Sequence, residues 1–180
     1  LRWVKGGFGS NFELKFKVMK EIRTEIKINT TPDKVWKVLT NFKDYPNWNP
    51  FLKWLSGDVD VDNKIEVRIE PPAANGMTFN PRVLKFDVNK EFRWLGHLLI
   101  PGLFDGEHIF ELTDNGNGTT TFIQREQFKG ILIPFFKKML DVSTKQGFEL
   151  MNRALKEKAE RISSIVKENK KGRHLASLQI

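Results

Sequence analysis

The hydrophobic pattern changes period twice along the chain, and those changes divide it into elements. Around residues 23–29, Ile22, Ile26 and Ile28 share one parity and Arg23, Glu25 and Lys27 the other, as in a half-buried strand. Thr30-Thr31-Pro32-Asp33 then supplies a helix start, with proline near the first turn and an acid favourable to the helix dipole. Val35, Trp36, Val38 and Leu39 follow at helical spacing, and residues 41–50 predict a second short helix ended by Asn49-Pro50. From Phe51 the period becomes two. Strands are expected at 51–56, 64–70, 77–88, 91–100, 105–113 and 119–130, separated by turn residues such as Ser56-Gly57-Asp58, Asn89-Lys90 and Pro101-Gly102. From Pro134 to about Lys167 the pattern is helical again. Phe135, Met139, Val142, Phe148, Met151, Leu155, Ile162 and Val166 are expected on its apolar face.

One amphipathic helix after six consecutive strands defines an α+β class. A sheet with one apolar face needs a cover, and only the last helix is long enough to supply it. The expectation is a curved antiparallel β-sheet wrapped around a long C-terminal α-helix, with two short helices after the first strand.

Composition narrows the function classes. The 180 residues form a length suited to one domain, and with no cysteine there is no disulfide, thiolate metal site or cysteine nucleophile. Fifteen Phe and five Trp stand against one Tyr, a ring content suited to a dry interior or an apolar pocket. The net charge of +8 is concentrated in the ends: residues 1–18 and 167–180 each hold four basic residues and one acidic. A nucleic-acid surface needs its positive charge clustered on the folded body, so no nucleic-acid partner is expected. No apolar run is long enough for a transmembrane segment and no secretory signal is evident, so a cytoplasmic location is the default expectation. Met19-Lys20-Glu21-Ile22 reads as a natural start. Residues 1–18 are then either a non-native extension or an extra strand with Phe12, Leu14 and Phe16 alternating; the domain is expected at 19–168, and 169–180 as a loose polar tail.

The run Thr31-Pro32-Asp33-Lys34-Val35-Trp36, the run Tyr45-Pro46-Asn47-Trp48-Asn49-Pro50-Phe51 and Trp94-Leu95-Gly96 carry a family resemblance. Leu103-Phe104-Asp105-Gly106-Glu107-His108 and residues 122–130 continue it. Together they resemble the SRPBCC superfamily (START-like, helix-grip), in its polyketide cyclase/dehydrase-like branch. The resemblance implies the helix-grip fold. For function it implies a range: lipid carriers, plant hormone-binding proteins, aromatic cyclases and domains of no assigned activity.

Chemistry is concentrated on one predicted hairpin. Phe122 and Phe128 share a parity with Gln124 and Glu126, while His108, Phe110 and Leu112 share the inward parity of the preceding strand. Paired residues of an antiparallel hairpin point to the same face, which here requires an odd loop. A three-residue Gly116-Asn117-Gly118 loop then sets Leu112 opposite Phe122, Phe110 opposite Gln124 and His108 opposite Glu126. This acid–imidazole pair is the candidate for catalysis or ligand orientation; the alternative is a buried pair that only satisfies itself. A pocket is expected among Trp94, Phe110, Phe122, Phe148 and Met151. Trp48, Phe51 and Trp54 are either a lid or plain packing. The segment 131–136 either touches a membrane or buries the strand-to-helix corner.

The histidines lack ligand spacing, so no metal is expected, and no motif calls for a cofactor. Three functions remain in play. The leading one is binding of a hydrophobic or amphipathic small molecule, lipid- or polyketide-like, in an internal cavity. The others are a cyclase/dehydratase-type enzyme using His108 and Glu126, and a protein-binding or chaperone-like module.

Overall fold

The computed structural model describes residues 20–72 and 75–177. The expected N-terminal strand through Phe12, Leu14 and Phe16 lies outside the described residues. Strand β1 (Lys20–Ile28) leads to α1 (Pro32–Leu39), a single 3-10 turn and the short α2 (Tyr45–Trp48). Strands β2 (Leu52–Ser56), β3 (Glu66–Ile69), β4 (Met77–Phe79), β5 (Arg82–Asp87), β6 (Glu91–His97), β7 (Asp105–Asp114) and β8 (Thr120–Lys129) follow. Helix α3 (Ile133–Met139) passes through a π-turn at Leu140–Thr144 into α4 (Lys145–Ser177).

The strand expected at 77–88 is two strands. Pro81 has no N–H to give a ladder, and the chain changes sheets there. The five-stranded sheet runs β1-β8-β7-β6-β5, all neighbours antiparallel, and β2-β3-β4 form a separate three-stranded sheet. The two are tied together by the Lys64–Arg82 bridge and by the Ile65 N–H, which donates to the Pro81 carbonyl. The first strand thus closes against the last, giving the α+β helix-grip architecture expected from element order.

The hairpin register is the one parity requires. His108 pairs with Glu126, Phe110 with Gln124 and Leu112 with Phe122, and Gly116 and Gly118 both take the left-handed backbone their loop needs. On the outer face, Arg93 and Arg125 flank Ile109 and engage Glu91, Glu107, Glu111 and Glu21. Ile109 is therefore only 1% exposed on the side expected to be solvated.

The long helix departs from its predicted face. Ile133, Leu140, Phe148, Met151, Leu155 and Ala159 are buried, whereas Phe135, Val142, Ile162 and Val166 are exposed. A π-turn adds a residue to one turn, so Phe135 before it falls out of phase with the stripe after it, and further along α4 Ser163 takes the buried position while Ile162 and Val166 face out. The helix also runs on to Ser177, through the segment expected as a loose tail. Buried polar contacts fix α4 on β1 and on the turn after it: the Asn152 amide donates to Thr24 Oγ1 at 2.9 Å, and Thr30 Oγ1 donates to Ser163 Oγ at 3.0 Å. No helix among the described residues is long and apolar enough to cross a membrane.

Candidate functional site

A cavity of about 110 Å³ lies between the two sheets, toward the end of β7 where that strand begins. Val67 and Ile69 of β3, Met77 and Phe79 of β4, Trp94 of β6 and Phe128 of β8 contribute to its largely apolar wall. Leu98 and Phe104 bound it on the β6–β7 connection, and Leu140 and Thr144 on the π-turn. Glu126 brings a carboxyl group into this lining.

Glycine decides how the carboxyl group sits. Gly106 pairs with both Gly96 and Phe128, and a Cβ on Gly106 would fall 2.6 Å from Glu126 Oε1. Any larger residue would push the carboxyl group from its place. At Gly147 the same test finds the Phe51 ring 2.2 Å away, so the start of α4 closes on Phe51 only because that helical position has no side chain.

That close approach shapes the interior. Phe51 meets Phe148 edge-on with ring centroids 5.3 Å apart, and Phe148 in turn meets the His108 ring edge-on at 5.1 Å. Phe110, Phe122, Phe148, Met151, His108 and Gln124 are all fully enclosed. Together with Trp94 and Glu126 they are residues expected on the ligand wall; Trp94 and Glu126 line the cavity, and these six are closed in beside it. Trp48 packs edge-on against Tyr45 at 5.3 Å and is also absent from the lining. The open volume is displaced along the strands because the first turns of α4 fill the centre of the bowl.

Behind Glu126 the polar groups are chained. His108 Nδ1 lies 3.4 Å from Glu126 Oε2, a little beyond a good N–H···O contact, and has no other partner among the described residues. On the other side of the ring, Gln124 Nε2 is 3.2 Å from His108 Nε2 and 3.6 Å from Met151 Sδ. An amide nitrogen has protons to give and no lone pair to offer, so it donates to Nε2 and the ring proton falls on Nδ1, facing Glu126. The indole of Trp94 stacks on the imidazole with centroids 4.7 Å apart and planes 6° from parallel. His108 is 0% exposed, so among these groups only Glu126 presents a polar atom to the cavity.

His97, a histidine without metal-ligand spacing in the sequence, has a polar setting of its own. Its Nδ1 is 2.7 Å from Asp105 Oδ1, both Asp105 oxygens accept from the Gly102 N–H at 3.0 Å, and His97 borders the cavity. The cross-strand pairing of His97 with Asp105 follows from the β6–β7 register, which no turn motif specifies in the sequence. Phe104, Val67, Ile69, Met77 and Phe79 were likewise missed as wall residues: alternation identifies the face of a strand but not a separate sheet folding over it. Among the described residues no three His, Asp or Glu side chains converge as a metal site.

This geometry defines a helix-grip domain with a largely apolar cavity between its two sheets. The chain belongs to the family described as polyketide cyclase/dehydrase and lipid transport, whose model matches residues 19–160. No curated protein matches the sequence. Solved structures share the fold at low identity. The Zhui aromatase/cyclase from a Streptomyces species has a TM-score of 0.64 at 13% identity, covering 79% of this chain and 94% of that one. A START superfamily protein from Mycobacterium smegmatis gives 0.61 at 15%, covering 79% and 98%. Norcoclaurine synthase from Thalictrum flavum, a point mutant with a transition-state analogue, gives 0.61 at 15%, covering 80% and 96%.

Proposed function

We propose that this domain binds a hydrophobic or amphipathic small molecule, lipid- or polyketide-like, in the cavity between its sheets. The observation that carries the reading is the pairing of an apolar wall with a single buried-side carboxyl group, Glu126, whose side chain is 14% exposed. Pockets for such molecules are mostly apolar with a few polar anchors that set orientation. The apolar body would lie along Phe79, Trp94 and Phe128, and a hydroxyl or amine of the ligand would meet Glu126. Native mass spectrometry of the purified full chain tests this. A retained adduct, or saturable uptake of a phenolic or fatty-acyl probe that Glu126→Gln weakens, is expected. A chain that takes up neither class of probe would overturn the reading.

A second reading is acid–base catalysis of the cyclase or dehydratase type. It is supported by His108 Nδ1 lying 3.4 Å from Glu126 Oε2, close enough that a small shift of the carboxyl group would bring the imidazole N–H into contact with it. Turnover of an aromatic polyketide analogue that disappears in Glu126→Gln while binding persists separates catalysis from carriage.

A further inference from the structure

Two segments meet beside the cavity and leave large apolar side chains in water. The β6–β7 connection exposes Leu99 by 80% and Ile100 by 60%; the turn into α3 exposes Ile131 by 64%, and the first turn of α3 exposes Phe135 by 83%. Backbone hydrogen bonds hold the segments together: the Ile131 N–H donates to the Gly102 carbonyl at 3.3 Å and the Leu132 N–H to the Leu103 carbonyl at 3.0 Å. Gly130 makes the approach possible, since a Cβ there would sit 2.3 Å from Leu103 O.

Their exposure is not a failure to find the core. Ile133 on the same helix is buried, and the ring of Phe136 meets Phe104 edge-on at 5.2 Å. Helical spacing therefore turns Pro134, Phe135 and Lys138 outward together. Leu99 has φ of 68°, a left-handed backbone that a leucine adopts only at a cost, and there its side chain is almost wholly in solvent. Exposed apolar surface of this extent marks a contact with something less polar than water.

Charge identifies the occupant. Residues 98–104 carry no charged side chain, and residues 129–138 carry Lys129, Lys137 and Lys138 with no acid. The acids next in sequence are engaged elsewhere, Asp105 with Gly102 and His97, Asp141 with Lys20. A second copy of this surface would bring the same lysines face to face, which disfavours self-association. We propose that this surface docks on a lipid bilayer containing anionic lipids, with Leu99, Ile100, Ile131 and Phe135 entering the headgroup region and the lysines meeting phosphate. Aliphatic and aromatic residues beside lysines are the composition that interfacial binding requires. Leu98 and Phe104, neighbours of the inserting residues, line the cavity, so docking would bring the cavity wall against the membrane.

Flotation of the full chain with vesicles tests the proposal. Vesicles of phosphatidylcholine with roughly a quarter phosphatidylserine should carry the protein upward, with release at high salt and weaker binding to pure phosphatidylcholine. Phe135→Asp, and separately Lys137→Glu with Lys138→Glu, should lower the bound fraction about tenfold or more. Leu99→Asn suits the left-handed backbone and removes the apolar side chain, so it should weaken vesicle binding without loss of thermal stability. A wild-type chain that stays in the aqueous layer, or binding that these variants leave unchanged, would overturn the proposal. So would a concentration-dependent dimer that Phe135→Asp disperses in the absence of vesicle binding. Flotation reads this surface whether or not the cavity is occupied, so its failure and a failure of the ligand-binding reading are told apart.

Discussion

Trp94 and His108 face each other across β6 and β7 with parallel rings 4.7 Å apart, and this stack forms the partition between solid core and open cavity. The indole borders the cavity, while the imidazole behind it is closed in by Phe110 and Phe148. Removing His108 therefore damages the core before it touches the ligand. His108→Ala should cost about 2–4 kcal/mol in urea or guanidinium unfolding, from lost packing and from leaving Gln124 without its acceptor. The nitrogen resonances of the wild-type ring should report the Nδ1–H tautomer. An Nε2–H tautomer would reverse the hydrogen-bond direction assigned to Gln124.

Gly106 is the position from which the proposed role of Glu126 in ligand binding can be tested without replacing Glu126 itself. A Cβ there meets Glu126 Oε1, the movable end of a side chain, so Gly106→Ala should shift the carboxyl group at a cost of about 1–2 kcal/mol. Affinity for a hydroxyl-bearing apolar probe should fall by about tenfold, as for a lost hydrogen bond to an oriented group. Titration calorimetry beside thermal melts checks both numbers. Equal affinity in the variant would remove Glu126 from the ligand.

Filling the cavity is best done from β3. Val67 is buried and lines the open volume, so Val67→Phe projects a phenyl ring into space of about 110 Å³. Displacement assays with a fluorescent apolar probe should show binding reduced at least about tenfold, with a stability change under about 1.5 kcal/mol because the void admits the added atoms. Met151, expected on the wall from its place on the apolar face of the helix, is fully enclosed, and Met151→Trp should lower stability by about 1–3 kcal/mol through overpacking.

Acid sensitivity should be traceable to the outer face. Arg125 donates to both oxygens of Glu111, through Nε at 3.0 Å and Nη2 at 2.9 Å. That hydrogen bonding holds the Glu111 carboxyl below its ordinary value of 4.5, against a smaller opposing effect of burial. A folded value below the unfolded one means the contribution is fully present above pH 4.5 and is lost as pH falls through the folded value. With the Glu111 side chain 28% exposed, the expected size is about 0.5–1 kcal/mol. Glu111→Gln should lower stability at neutral pH and flatten its decline below that pH, measured by denaturant unfolding across the acid range.

What the sequence determined by itself is local and periodic. Alternation in β7 and β8 together with the Gly116–Gly118 loop was enough to set the register, because a one-residue slip would reverse every side chain to the wrong face. The order of elements was enough for the helix-grip class, since one long amphipathic helix had to cover the sheet. Parity also placed His108 and Glu126 side by side. It did not show which of them would meet open space, because alternation records the direction of a side chain and not the distance to the opposite layer. That distance was decided by the tertiary structure. Gly147 admits Phe51 against α4, the π-turn rotates the stripe that continues from Ile133 to Phe148, and Pro81 lets β3 and β4 fold over the end of the bowl as a separate sheet. The centre is filled as a result, and the cavity opens beside Glu126. Packing between layers depends on contacts remote in sequence, and no period in the chain encodes them.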